Sequence, residues 1–325
     1  MRAMVVDSYG TVDRLRVADV PAPQPRHGQV LVRVAASAVN HADAKVIGGN
    51  RMLHRRAFPL VVGYDFSGEV EAVGPGVPDL ELHDHVFGHL PYDPRNRQGA
   101  FAEYVAVPRD QVARKPVDVS HEVAAAAATP GLTALQGLRD VGRLEQDQRV
   151  LVIGASGGVG SLAVGVAKRL GAHVTAVCRA EEAGLARELG ADEVLDRSAG
   201  LPSEGAYHVI FDTPAAHAYR RCAHLLAPGG AYVTTLPSPA FFADKLRTLA
   251  SSKRCGLVVV RPVRADLDRL ASWIQQGLQV PIDSTHPVCH VARALERLGQ
   301  GGVRGRIVID VRDWTGDADC HIKAG

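Results

Sequence analysis

Residues 29–34 (QVLVRV) alternate apolar and polar side chains, the signature of a strand with one face buried. Pro21, Pro23 and Pro25 precede it as an extended lead-in. A second alternating run, residues 67–73 (SGEVEAV), closes on the turn Gly74-Pro75-Gly76. Residues 85–87 and 102–107 are short strand candidates. Glycines and prolines punctuate this stretch too often for a helical bundle, and a β-rich domain follows. The texture changes near residue 120. Ser120 is a helix cap, followed by Glu122 and an alanine run to Ala128. Pro130-Gly131 is expected to break that helix, and residues 132–141 to resume helical spacing.

From residue 149 short apolar runs alternate with helical ones. Strands are expected at 150–153, 173–178, 194–195, 209–212, 231–236 and 256–260. Helices are expected at 159–170, at 181–189 and in the stretch ending at Leu226. Strand-helix alternation predicts a doubly wound parallel sheet with helices on both faces, an α/β fold. A helix at 291–298 and a strand at 306–311 return to the β-rich texture. The chain therefore leaves its first domain, builds a second, and comes back: residues 1–120 and 262–325 form one domain, and 121–261 the other. The segment from Arg312 to Gly325 has no clear pattern.

Charge and composition narrow the function classes. The 325 residues carry 37 Lys+Arg against 35 Asp+Glu, so no polybasic surface for nucleic acid is expected. No run reaches the roughly 20 apolar residues of a membrane span, and the first residues contain no signal-peptide core. Cys178, Cys222, Cys255, Cys289 and Cys320 are far apart and form no C-x-x-C. A disulfide framework and a cysteine zinc cluster are not expected; a reducing, cytoplasmic setting is.

One segment carries recognisable chemistry. Val150-Leu-Val-Ile precedes Gly154-Ala155-Ser156-Gly157-Gly158-Val159-Gly160, a glycine-rich turn between a strand and a helix. Glycines let backbone approach a pyrophosphate, and the helix N-terminus offers amides and a positive dipole end. Ala155 stands in the first glycine position of the pattern. An NAD site places an acid about 20 residues on, at the next strand tip, to hold the ribose 2′-OH. Here the tip is Cys178-Arg179. A guanidinium there suits a 2′-phosphate, so NADPH is the expected cofactor, with Glu181 and Glu182 as alternative ribose partners.

Further motifs run in order along nearly the whole chain. They are Ala38-Val39-Asn40-His41-Ala42-Asp43, Gly63-Tyr64-Asp65-Phe66-Ser67-Gly68, Gly99-Ala100-Phe101-Ala102-Glu103-Tyr104, Gly131-Leu132-Thr133-Ala134 and Arg304-Gly305-Arg306-Ile307-Val308. Together they resemble the medium-chain dehydrogenase/reductase superfamily, in its zinc-independent quinone oxidoreductase branch. The resemblance implies a Rossmann domain inserted into a GroES-like catalytic domain, with a cleft between them. It also implies a homodimer and a small-molecule substrate. Where zinc relatives carry Cys, His and Cys, this sequence has Asn40, Tyr64 and Thr129, so no metal is expected. His83, His85 and His89 form a metal-like cluster, but the family strand they interrupt makes them surface or loop residues.

Without a Lewis acid, the reaction suited to this family is hydride transfer to a quinone or another conjugated C=C or C=O. The catalytic candidates are Tyr64 as hydrogen-bond donor to a developing oxyanion, Asn40 toward ribose or substrate, and Asp43 as an orienting group. Thr133, Asp212 and Leu236 join the turn and Arg179 as cofactor-contact candidates by family position. The enoyl-thioester reductases of the family carry a tyrosine where this chain has Arg51, which favours quinones and enones. Arg51, His54, Arg55 and Arg56 form a basic stretch near the expected mouth, either a solvated loop or an attractor of acidic substrates. Two other readings remain: a pathway-specific enone or enoyl-thioester reductase, and a non-catalytic NADPH-binding or RNA-binding relative.

Overall fold

A computed structural model describes residues 1–50, 58–93 and 98–314. Arg51, His54, Arg55 and Arg56 lie outside the described residues. The chain divides into two compact units: Met1–Thr129 with Arg261–Gln275 and Ile282–Gly325, and Pro130–Val260 with Gln276–Pro281. The chain first crosses between units at Thr129/Pro130, later than residue 120, and Gln276–Pro281 returns briefly to the second unit.

In the second unit, parallel strands lie in the spatial order Glu193–Asp196, His173–Cys178, Arg149–Ile153, Tyr207–Asp212, Leu226–Thr234 and Arg254–Leu257. Counted along the chain that order is 3-2-1-4-5-6, the doubly wound arrangement that binds ligands beyond the carboxyl ends of its strands. Val150, Leu151 and Val152 are fully buried, as a central strand covered on both faces requires.

The first unit is built on a mainly antiparallel sheet. Gln29–Ala38 pairs with Asp65–Val73, Tyr104–Pro108 and the late strand Arg306–Asp310. The alternation read from residues 29–34 appears as Val30, Val32 and Val34 packed into the core beside Phe66 and Ile309. Beyond Val34 the strand enters the interior on both faces: Ala36, Ser37 and Ala38 are all buried. Asp65–Val73 pairs in turn with His85–His89. A smaller sheet holds Arg16–Asp19, Arg2–Val6 and Leu60–Val61. At the end of the described chain, Arg312 pairs with Glu122 and Asp310, and Arg2 lies 5.0 Å from the Trp314 ring centre.

Two expectations are corrected here. The helix does not break at Pro130-Gly131; it runs from His121 to Gln136 with Pro130 inside it. Ala124 to Ala128 are fully buried, and the Thr129 amide at the proline donates to Asp65 Oδ1 at 2.8 Å. Tertiary contacts thus override a local breaker. The helical stretch after Pro130 also changes character, passing into a wider π-type turn at Gly137–Val141. A Cβ on Gly137 would come within 2.8 Å of the Phe211 ring, so only glycine allows that approach. The second correction concerns His89. It is 1% exposed, at the inner end of strand His85–His89, whereas His85 is exposed.

Candidate functional site

The glycine-rich turn in the second unit has the geometry that its sequence predicts. Strand Arg149–Ile153 leads into it, and helix Gly158–Arg169 leaves it with Gly157 as N-cap. Gly154 sits at φ +78°, and a Cβ on Gly160 would lie 1.9 Å from the Gly154 carbonyl oxygen. Both glycines are demanded by the turn itself. Gly157 differs: a Cβ there would meet only Gly154 O, at an ordinary 3.5 Å. Its missing side chain leaves the first helical amides open to an anion, which is the fit a pyrophosphate needs.

Sequence reasoning did not foresee how the turn is braced. Ser156 Oγ donates to Glu182 Oε2 at 2.5 Å, and the Arg179 amide donates to the same oxygen at 3.2 Å. Glu182 is 5% exposed, so this carboxylate ties the turn to the tip of strand His173–Cys178 from inside. The Arg179 side chain remains about one-third exposed, with Nη1 3.9 Å from carboxylate oxygens of Glu181 and Glu182.

The other cofactor candidates have varied settings. Asp212 is buried and accepts from the amides of Ala216 and His217, at 3.0 and 2.7 Å, and from Tyr232 OH at 2.9 Å. It clamps the loop that follows its strand. Leu236 is 40% exposed and lines a cavity of about 210 Å³. Thr133 is buried on the helix His121–Gln136.

The catalytic candidates of the first unit gather around a carboxylate that sequence reasoning passed over. Asp65 is fully buried. It accepts from Arg306 Nη2 at 2.6 Å, Asn40 Nδ2 at 3.0 Å, the Thr129 amide at 2.8 Å, and the Thr129 hydroxyl. Burial pushes the Asp65 carboxyl up, and Arg306 pulls it back. Four donors saturate its lone pairs and leave no acceptor for a proton of its own, which fixes it as the carboxylate. The Asn40 side-chain oxygen accepts from Arg306 Nη1 at 3.1 Å, so both ends of its amide belong to this network.

The network sets the state of His89. The Thr129 hydroxyl must donate to Asp65, so its oxygen receives the contact with His89 Nδ1, at 2.7 Å. His89 is thereby held with its proton on Nδ1. Burial and the nearby Arg306 hold its pKa down at about 3, so it is neutral. Tyr92 packs edge-on against both the His89 ring, at 4.8 Å, and the Tyr64 ring, at 4.4 Å. Tyr64 is 2% exposed.

Asp43 stands apart from the guanidinium. Its Oδ2 accepts from the Asn40 amide at 2.6 Å, closing the first turn of helix His41–Ile47. Burial, with Asp65 adding to it, outweighs its hydrogen bonds and raises its pKa to about 8. Among the described residues, no group of three or more His, Cys, Asp and Glu side chains could hold a metal ion. Asn40, Tyr64 and Thr129, which the resemblance sets against the metal ligands of zinc relatives, carry an amide, a phenol and a hydroxyl, none of them an ordinary zinc ligand.

Comparisons with known proteins identify relatives along the whole chain. Residues 26–117 match the alcohol dehydrogenase GroES-like domain, and residues 189–309 match the family described as zinc-binding dehydrogenase. The chain is 30% identical to the mitochondrial NAD(P)H oxidoreductase RTN4IP1 of Danio rerio, covering 96% of this chain and 92% of that protein. It is 31% identical to the chloroplast envelope quinone oxidoreductase homolog of Arabidopsis thaliana, covering 95% and 98%. Among solved structures it resembles the quinone oxidoreductase from Coxiella burnetii, with a TM-score of 0.86 and 26% identity over 95% of this chain and 99% of that one. It also resembles a mycobacterial protein solved in complex with NADPH, with a TM-score of 0.79 and 28% identity over 95% and 99%.

Two outcomes follow from the buried charges. Replacing Arg306 by Met strands the Asp65 carboxylate without its counter-ion and is expected to cost about 3–5 kcal/mol of unfolding free energy. Urea denaturation measures this, and a loss under about 1 kcal/mol would show that the pair is not what holds the cluster. Asp43 has its folded pKa above the unfolded value of 3.8. Its stabilisation is complete below pH 4 and lost as pH rises toward 8. The stability of the native chain relative to Asp43→Asn should therefore fall across that window, by up to about 1.4 kcal/mol per pH unit. Parallel curves for the two proteins would contradict the shift.

Proposed function

Because this chain belongs to the medium-chain dehydrogenase/reductase superfamily, in its quinone oxidoreductase-like branch, we propose that it is an NADPH-dependent, zinc-independent reductase of quinones or other conjugated C=C and C=O substrates. Its relatives support a nicotinamide-dependent oxidoreductase as the broader class. The observation that carries the narrower reading is the Asp65 network. The carboxylate beside the family's metal position is neutralised by Arg306 and saturated by Asn40 and Thr129. A fixed organic cation thus occupies the electrostatic role that a metal would have there.

Bound NADPH would supply a hydride to an electron-poor carbon or quinone. In this reading Gly157, Gly158 and Val159 hold the pyrophosphate with Ala155, Ser156 and Gly160 shaping the turn, and Arg179 meets the 2′-phosphate. Thr133, Asp212 and Leu236 contribute helix, loop and strand-end contacts to the cofactor. Asn40 and Asp43 hold the helix that begins beside Tyr64. Tyr64 donates a hydrogen bond to the oxygen on which charge develops. Such a site suits substrates activated by conjugation and gives an alcohol no means of lowering its pKa.

A second copy of the chain belongs to the proposal. Phe242, Leu246, Leu249 and Val259 are well exposed. They flank or follow the edge strand Arg254–Leu257, the kind of apolar margin a partner covers. A reducing, cytoplasmic compartment is likewise proposed, supported by free Cys178, Cys222 and Cys255. No helix among the described residues is long and apolar enough to cross a membrane.

The deciding measurement is NADPH consumption across quinones, enones, enoyl thioesters and, with NADP+, alcohols. Turnover of quinones or enones without added zinc is expected; turnover of alcohols alone, or activity that tracks stoichiometric zinc, would sink the reading. Arg179→Ala should lower kcat/KM for NADPH by about ten- to a hundredfold, the worth of a charge-assisted contact, and leave NADH nearly unchanged. Equal losses with both cofactors would remove the 2′-phosphate role. Tyr64→Phe should reduce kcat roughly a hundredfold, as loss of one oxyanion donor does. Full kcat on every accepted substrate would take that role away.

A further inference from the structure

Beneath helix Pro239–Arg247 lies a cavity of about 210 Å³, walled by Phe241, Tyr219, Leu236 and the Cys255 side chain, with Asp244 and His217 on its lining. All these residues belong to the second unit. No residue of the Gly154–Gly160 turn lines it, and of the residues assigned to the cofactor only Leu236 does.

The polar groups are out of place for a simple packing void. Phe241 and Asp244 are three positions apart on the buried face of their helix, where a second apolar side chain would be expected. Asp244 is 1% exposed. Its Oδ1 accepts from Arg247 Nη1 at 3.0 Å, whereas its Oδ2 has no partner among the described residues. His217 is anchored by its backbone: its amide donates to Asp212 at 2.7 Å. Its ring Nδ1, however, has no partner among the described residues. Leaving a buried acceptor unmet costs on the order of 1–3 kcal/mol. Here the two residues that carry such atoms line one cavity, so a ligand donor is the natural complement.

We propose that this cavity is a binding site for a small organic ammonium carrying an apolar ring or branched chain, separate from the nucleotide turn. An ammonium has several N–H donors, which can meet Asp244 Oδ2 and His217 Nδ1 together. The Tyr219 and Phe241 rings attract a cation and cover an apolar body. An apolar cavity of about 150 Å³ takes a benzene, so this one holds a monocyclic amine of about eight heavy atoms. Burial and the neighbouring Asp244 push the Cys255 thiol up to about 12, so it serves as a wall rather than a nucleophile.

Calorimetric titration of the full chain with benzylamine, benzyl alcohol and toluene at pH 7.5 tests the site. The expected result is one saturable site for benzylamine, at least about tenfold tighter than for benzyl alcohol, in line with a desolvated charge-assisted contact. Asp244→Asn should erase the preference for the amine. Cys255→Leu, which fills the cavity and leaves Asp244 in place, should abolish binding of all three. Absence of saturable binding, or equal affinity for toluene and benzylamine, would overturn the proposal. Displacement of benzylamine by NADPH would overturn the separateness of the site. None of these readouts depends on turnover.

Discussion

The first unit is organised around one buried ion pair. Asp65 and Arg306 meet at 2.6 Å with side-chain exposures of 0% and 7%. A carboxylate that deep is tolerable only because every lone pair has a donor and the guanidinium neutralises its charge. Three segments converge to satisfy it: the loop ending strand Gln29–Ala38, through Asn40; the helix His121–Gln136, through Thr129; and the strand Arg306–Asp310. The unbroken helix through Pro130, the tautomer of His89 and the placement of Asn40 all follow from that demand. Such pairs contribute less to net stability than to a unique arrangement, because the carboxylate penalises any alternative packing that separates it from its donors.

The glycine-rich turn of the second unit uses the same device at smaller scale. Glu182 is sunk beneath Ser156 and the Arg179 amide, so the acid that follows the strand tip serves the architecture. Glu181, by contrast, is exposed beside the Arg179 guanidinium. Adjacent acidic residues thus have opposite settings: Glu182 is an internal brace and Glu181 lies at the surface.

Much of this was visible in the sequence because it is local. Alternation at residues 29–34 and the strand-turn-helix at 150–160 depend on neighbours a few positions away, and both stand in the structure. What could not be read depends on distant partners. Arg306 sits 241 positions from Asp65, and nothing in Arg304-Gly305-Arg306 marks one arginine as buried. Local pattern does not single out His89: period two puts His85, Phe87 and His89 on one strand face, yet His85 is exposed and His89 is buried. Its neighbours His83 and His85 are exposed, and the cluster was judged by them. Intrinsic propensity makes Pro130 a helix breaker, and the buried carboxylate overrides it. The resemblance marks Thr129, but its hydrogen bonds to Asp65 and His89 span 64 and 40 positions and leave no local signal.

The late position of Arg306 shapes how the protein is made. Ribosomal synthesis delivers Asn40, Asp65 and Thr129 early, and the guanidinium only after the intervening Pro130–Val260 stretch has emerged. Until then the nascent first unit carries an uncompensated acid at its centre and lacks its closing strand. The inserted unit has all its strands by Leu257 and can reach its fold sooner. Birth order and completion order are thus reversed: the segment translated first is the last to close.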